Sequence, residues 1–183
     1  MSIYINAPLN EAAVKELKSG DVVSITGTIY AARDAAHKRM IEMLQEGKEL
    51  PFDIKNQIVY YLGPCPAKEG QVIGSAGPTS SYRMDAYTPK LLELGMKGMI
   101  GKGMRGPAVV EAMKKYSAVY FAAVGGAAAL ISKSIVGEEV VAFEDLGTEA
   151  IRKLEVKDFP AVVIIDCYGN NLYETGRAEY KRG

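Results

Sequence analysis

Val22-Val23-Ser24-Ile25-Thr26-Gly27-Thr28-Ile29-Tyr30-Ala31-Ala32-Arg33-Asp34-Ala35-Ala36-His37 is the stretch on which the fold is read. Residues 22–30 are rich in β-branched side chains and predict a strand. Residues 35–46 then place Ala36, Met40, Met43 and Leu44 at helical spacing, and Gly47 is a natural stop. Arg33 and Asp34 fall at the helix start, with His37 one turn after Arg33. A strand that turns directly into a helix is the repeating unit of α/β architecture.

The same alternation continues outward. Strands are predicted at 58–62, 71–75, 99–100, 118–124, 140–143 and 161–165. Helices are predicted at 88–94, 107–116, 127–134 and 149–154, with Pro89 and Pro107 at first-turn positions. Residues 166–170 read as a turn and 172–173 as an edge strand. The pattern predicts α/β with a largely parallel or mixed sheet. With no repeat, low-complexity tract or convincing linker, residues 1–183 are expected to form a single domain.

Composition narrows the function classes. The 183 residues include 22 Lys+Arg and 22 Asp+Glu, for a net charge of zero. No long-range field favours nucleic acid or anionic lipid, so neither is an expected partner. The most apolar run, 118–131, falls short of the roughly 20 residues a membrane helix needs, and Gly125-Gly126 interrupts it. The N-terminus lacks a basic region followed by a long apolar stretch. Two cysteines, Cys65 and Cys167, suit a reducing compartment, and the chain is expected to be soluble and cytoplasmic. Two cysteines and one histidine are too few for a self-sufficient zinc or iron–sulfur site, so no metal ligand is expected here.

Four polar or glycine-rich clusters lie at predicted strand ends, where open α/β sheets bind ligands. In the first, Arg33 either clamps a carboxylate or is a surface or capping group. His37 either transfers a proton or is structural. The second, Gly63-Pro64-Cys65-Pro66-Ala67, reads as a stiff turn or as a held thiol. The third, from Gly74 to Asp85, carries Thr79-Ser80-Ser81 followed by Arg83 and Asp85, and suits an anion. The fourth, Gly101-Lys102-Gly103-Met104-Arg105-Gly106, is a literal GxGxxG. The acidic residue expected about 20 positions later for a ribose is missing, which weakens a dinucleotide reading. Arg33, Arg83 and Lys102 converging on one cleft would suit a small di- or tricarboxylate.

These clusters resemble ordered motifs of a known family. Gly27 through His37, Gly77-Pro78-Thr79-Ser80-Ser81-Tyr82-Arg83-Met84-Asp85 and Gly101-Lys102-Gly103 resemble signatures of the class I iron–sulfur fumarate hydratases and L-tartrate dehydratases. The similarity is to their β subunit, or to the C-terminal domain of single-chain forms. Tyr61-Leu62-Gly63-Pro64, Val124-Gly125-Gly126-Ala127-Ala128, Phe143-Glu144-Asp145-Leu146-Gly147 and Val156-Lys157-Asp158-Phe159-Pro160-Ala161 match in order, over about residues 20–173.

The resemblance implies a swivelling β/β/α domain with a mixed sheet flanked by helices. It implies reversible hydration of fumarate to L-malate, or conversion of L-tartrate to oxaloacetate. It implies a [4Fe-4S] cluster ligated by a partner α subunit and not by this chain, in a homo-oligomer or heterotetramer. By the same resemblance Thr79 is the expected catalytic base, with Asp85 and His37 at motif positions beside it. Arg33, Arg83 and Lys102 are the expected substrate-carboxylate contacts. A threonine acts as a base only if its alkoxide is stabilised; Arg83 and Lys102 are placed to do so, and His37 is the alternative base. A stand-alone dicarboxylate-binding module is the competing class.

Overall fold

In the computed structural model, residues 1–123 and 128–180 are described. Their strands are β1 (Ile3–Ala7), β2 (Val22–Ala31), β3 (Ile58–Tyr60), β4 (Gly98–Gly101), β5 (Val119–Ala123), β6 (Ile135–Ala142) and β7 (Ile151–Ile165). Their helices are α1 (Glu11–Glu16), α2 (Asp34–Gln45), α3 (Thr88–Glu93), α4 (Pro107–Tyr116), α5 (Ala128–Ser134) and α6 (Leu172–Tyr180).

The sheet is mixed and closes on itself. β2, β3, β4 and β5 are parallel neighbours. β7 runs antiparallel to both β5 and β2, which completes a ring. β1 extends one edge of β2 in parallel, and β6 pairs antiparallel with the first part of β7.

Period-two alternation sorts side chains to the two faces. Ile58, Tyr60, Ile100, Val119 and Phe121 point into the ring with Ile25, Ile29, Leu154, Phe159 and Val163. The alternate residues Val59, Tyr61, Met99 and Tyr120 face outward, under Met40 of α2, Leu91 of α3 and Met113 of α4. The α/β expectation is met: α2, α3 and α4 cover the outer face of the sheet, while Val14 of α1 and Ile131 of α5 join the core inside the ring.

β7 explains one misread segment. Residues 149–154 are predicted helical because Ile151 and Leu154 are three apart. They are strand from Ile151 onward, since β2 and β6 bond both edges there. The inward residues run Leu154, Val156, then Phe159, Ala161, Val163. The change of step between Val156 and Phe159 is a β-bulge, where register shifts opposite Thr26 and Asp158 adopts φ 53°. The Asp158 N–H donates to Thr26 Oγ1 at 3.0 Å. One extra residue thus keeps the core face inward as the strand bends.

Three other expectations change. Residues 71–75 are loop, not strand. Cys65 N–H bonds the Ser75 carbonyl, and a β-carbon at Gly74 would collide with the Cys65 and Pro66 carbonyls, so the chain folds back on itself. Ile73 and Ala76 still plug the ring core. Residues 172–173 begin α6 rather than an edge strand, because the Asn171 side chain accepts from Tyr173 N–H at 3.1 Å and caps a helix. The first twenty residues, read only for targeting signals, form β1 and α1, the latter capped by Asn10. The strand expected at 140–143 starts earlier, at Ile135. The Gly125-Gly126 break and the motif around it lie outside the described residues.

Candidate active site

The parallel strands place the candidate residues at one end of the sheet. Arg33 follows the C-terminal end of β2, and Lys102 follows that of β4. The Thr79–Arg83 segment lies between them, over the ends of β3 and β4. The Thr79 N–H donates to the Tyr61 carbonyl (2.9 Å), and Ser81 N–H donates to the Lys102 carbonyl (2.9 Å). Ser80 and Lys102 form a parallel bridge. Two stretches far apart in sequence are therefore joined by backbone bonds that no side-chain pattern announces.

Arg33 and Arg83 meet at Asp34. The Asp34 carboxylate is 3.6 Å from Arg33 Nε and 3.7 Å from Arg83 Nη1. Glu149, from a 3-10 turn before β7, brings its Oε1 to 3.1 Å from Arg33 Nε and accepts the Ala35 N–H at 3.4 Å. Arg33 Nε is buried yet out of line for a true hydrogen bond with either carboxylate. Two carboxylates thus offset part of the positive charge that the sequence reading assigned to Arg33, Arg83 and Lys102. Asp34 was legible beside Arg33, but Glu149 gave no local signal. Lys102 is exposed and Thr79 half-buried.

Asp85 faces away from open solvent chemistry. Its Oδ1 accepts Arg105 Nε–H at 2.7 Å, and its Oδ2 accepts Gly106 N–H at 2.8 Å. Arg105 is buried, with its guanidinium between Tyr61 and Tyr120 at 5.2 and 5.1 Å from the ring centroids. It also donates to Thr88 Oγ1 at 2.9 Å. Sequence reasoning saw Arg105 only as filler in GxGxxG. In this fold the start of α4, where a dinucleotide phosphate would sit, is occupied by the Asp85 carboxylate.

His37 is fully buried on α2. Its Nδ1 lies 2.9 Å from the Arg33 carbonyl, which fixes Nδ1 as the protonated nitrogen, and Nε2 has no hydrogen-bond partner. Burial, reinforced by the Arg105 charge, pushes its pKa down to about 4 against the bond to Arg33 and the Asp34 charge. The ring is neutral near pH 7.

Cys65 is exposed and Cys167 is buried. Among the described residues no three His, Cys, Asp or Glu side chains gather as metal ligands. Two cysteines, one exposed and one buried, are fewer than the thiolates that usually hold an iron–sulfur cluster. Among the described residues no helix is long and apolar enough to cross a membrane.

The structure is a mixed α/β sheet closed into a ring, with Arg33 and Arg83 joined through Asp34 beyond the ends of its parallel strands. The chain belongs to the Fumarase C-terminus family, whose model matches residues 1–176. It is 39% identical over 178 residues to the anaerobic class I fumarate hydratase of Escherichia coli, covering 95% of this chain and 32% of that protein. It is 39% identical over 177 residues to mitochondrial fumarate hydratase 1 of Leishmania major, covering 94% of this chain and 32% of that protein. It is 40% identical over 177 residues to a Methanocaldococcus jannaschii protein assigned by name as an L(+)-tartrate dehydratase subunit beta, covering 93% of this chain and 91% of that protein. The chain spans about a third of the length of the fumarate hydratases it matches.

Proposed function

We propose that this chain is the β subunit of a class I hydro-lyase that reversibly hydrates fumarate to L-malate. Its partner is an α subunit that carries and ligates the [4Fe-4S] cluster, in a homo-oligomer or heterotetramer within the cytoplasm. What supports this reading is that Arg33 and Arg83 share Asp34, while the segment that carries Thr79 and Arg83 is bonded through its backbone to Lys102. A second reading, conversion of L-tartrate to oxaloacetate, draws on the near-complete overlap with the Methanocaldococcus jannaschii protein.

In this reading Arg33, Arg83 and Lys102 bind the carboxylates of the dianion. Forked guanidinium contacts fix its orientation, and Lys102 adds a point charge. Hydration adds the hydroxyl of water to one alkene carbon and a proton to the other. Thr79 Oγ1 handles that proton: as hydroxyl it delivers it, and as alkoxide it removes it in the reverse direction. The neighbouring cations stabilise the alkoxide. The burial of His37 and the engagement of its Nδ1 favour Thr79 over His37 as the base.

The test is anaerobic mixing of this chain with its iron–sulfur partner. Turnover of fumarate, malate or tartrate is expected from the mixture and from neither chain alone. A mixture inert with all three overturns the reading. Dicarboxylate binding by the chain alone, with an inert mixture, would instead establish a stand-alone binding module. Thr79→Ala in the active complex is expected to abolish turnover with the cluster spectrum intact; wild-type rates would remove Thr79 from its role.

A further inference from the structure

Next to Arg33 and Arg83 lies a second polar assembly, built around Arg105, with a different job. Arg105 is a buried guanidinium whose side chain is wholly enclosed. Its partners are the Asp85 carboxylate (2.7 Å), Thr88 Oγ1 (2.9 Å) and Met99 Sδ (3.4 Å). Tyr61 and Tyr120 cover its two sides. The Tyr120 hydroxyl lies 2.7 Å from the Gly103 carbonyl and 2.8 Å from Ser81 Oγ. Ser81 in turn bonds the Lys102 carbonyl through its N–H.

We propose that Asp85 and Arg105 are positioning residues: the ion pair of the buried Arg105 with the partly buried Asp85 clasps the Gly101–Gly106 loop to the 79–85 segment and so fixes Lys102 relative to Thr79 and Arg83.

Topology supports this assignment. Lys102 and Thr79 lie on different loops, and a flexible exposed lysine cannot hold its own backbone in place. The clasp joins the loops at both ends. At one end Ser81 and Lys102 share a backbone bond; at the other Asp85 accepts Gly106 N–H while holding Arg105. A guanidinium is retained at the depth of Arg105 only when its charge is compensated and its donors are satisfied. Both of the Asp85 oxygens are engaged, one by the Arg105 guanidinium and one by the Gly106 N–H. Asp85 therefore acts through Lys102 and not on the substrate.

The experiment has two arms, and only the second rests on the hydro-lyase reading. In the first, amide hydrogen exchange is followed in the full chain, in Asp85→Asn and in Arg105→Lys. The Ser81 amide is expected to exchange about tenfold faster in both variants or more, a local opening. The Val163 amide, bonded to the Asp21 carbonyl on the ring, is expected to keep its protection. Unchanged exchange at Ser81 in both variants overturns the proposal. So does equal loss at Ser81 and Val163 in both, which would make the pair a general stabiliser.

In the second arm the variants are assayed in the complex with the iron–sulfur partner. A misplacement of about 1 Å can cost about a hundredfold in rate, so kcat/KM is expected to fall about ten- to a hundredfold. Both limbs of the pH–rate profile should remain, and the double variant should lose little more than either single one. Loss of a limb in Asp85→Asn would make Asp85 a proton-transfer group and overturn the proposal. If the wild-type complex is itself inert, the hydro-lyase reading fails and the exchange data alone decide the clasp.

Discussion

His37 donates its Nδ1–H to the carbonyl of Arg33 at 2.9 Å, one helical turn back, inside a fully buried site. The bond ties the only histidine to the backbone of a candidate substrate-binding residue. The groups facing the ring are Tyr61 and Tyr87 by edge and tilt, with the charges of Arg105 and Asp34 nearby.

A pH dependence of stability follows. The His37 pKa falls from 6.5 to about 4 on folding. Between those values the unfolded chain binds a proton that the folded chain refuses. The contribution of His37 is therefore complete above about pH 6.5 and is lost as pH falls toward 4. At about 1.4 kcal/mol per unit, it amounts to ~3 kcal/mol as an upper bound. Urea unfolding of the wild type should weaken over that window. His37→Asn, which keeps a donor on the Nδ1 side, should show a flatter profile; an equally steep one would assign the loss to carboxylates.

Gly63 lies under the Arg33 side chain. A β-carbon there would stand 2.8 Å from Arg33 Cδ and 3.3 Å from the Thr148 carbonyl. Arg33 can move aside, so Gly63→Ala should change stability by less than about 1 kcal/mol, within the range of tolerated substitutions. The same movement takes the guanidinium off its carboxylate, and KM for the dicarboxylate should rise about tenfold. That corresponds to about 1.4 kcal/mol, less than a full charged hydrogen bond. Unaltered KM would place the substrate elsewhere.

Arg83→Lys keeps the charge and loses the fork. In the active complex KM should rise by about tenfold while kcat falls less, since lysine offers no two-pronged grip on a carboxylate. Raising the salt concentration should weaken the variant more than the wild type, as the point charge is more readily screened. Kinetics at two ionic strengths measure both effects. An identical KM would argue that Arg83 serves only Asp34.

Phe159 seals the ring. It is fully buried, meets Tyr60 edge-on at a 5.3 Å centroid distance and sits next to the β7 bulge. Phe159→Ala should cost about 3–5 kcal/mol in urea unfolding. That is a large share of the about 5–15 kcal/mol expected for a domain. A loss below about 1 kcal/mol would mean that the ring collapses around the gap.

Much of the architecture is legible in local pattern. The β-branched run before Arg33 and the 3.6-residue spacing after it do become β2 and α2. Pro89 and Pro107 do begin α3 and α4. The failures share a cause. Residues 151–156 have an ambiguous apolar spacing, and only the β2 and β6 edges beside them select strand. Residues 71–75 have strand-like composition but pair with no strand among the described residues. The start of α6 is the exception, since Asn171 with Glu174 three residues later is a readable capping signal.

By itself the sequence determined the alternation of strand and helix, the candidate residues Arg33, Thr79, Arg83 and Lys102, and the shortage of cysteines. Those are properties of residue type and short spacing. Only the tertiary structure decided that β7 closes the sheet into a ring, that Asp34 and Glu149 share the charge of Arg33, and that His37 is buried and neutral. It alone paired Asp85 with Arg105. Each of these depends on which distant segment comes alongside, and on how far water is excluded there. Neither quantity is carried by a local stretch of chain.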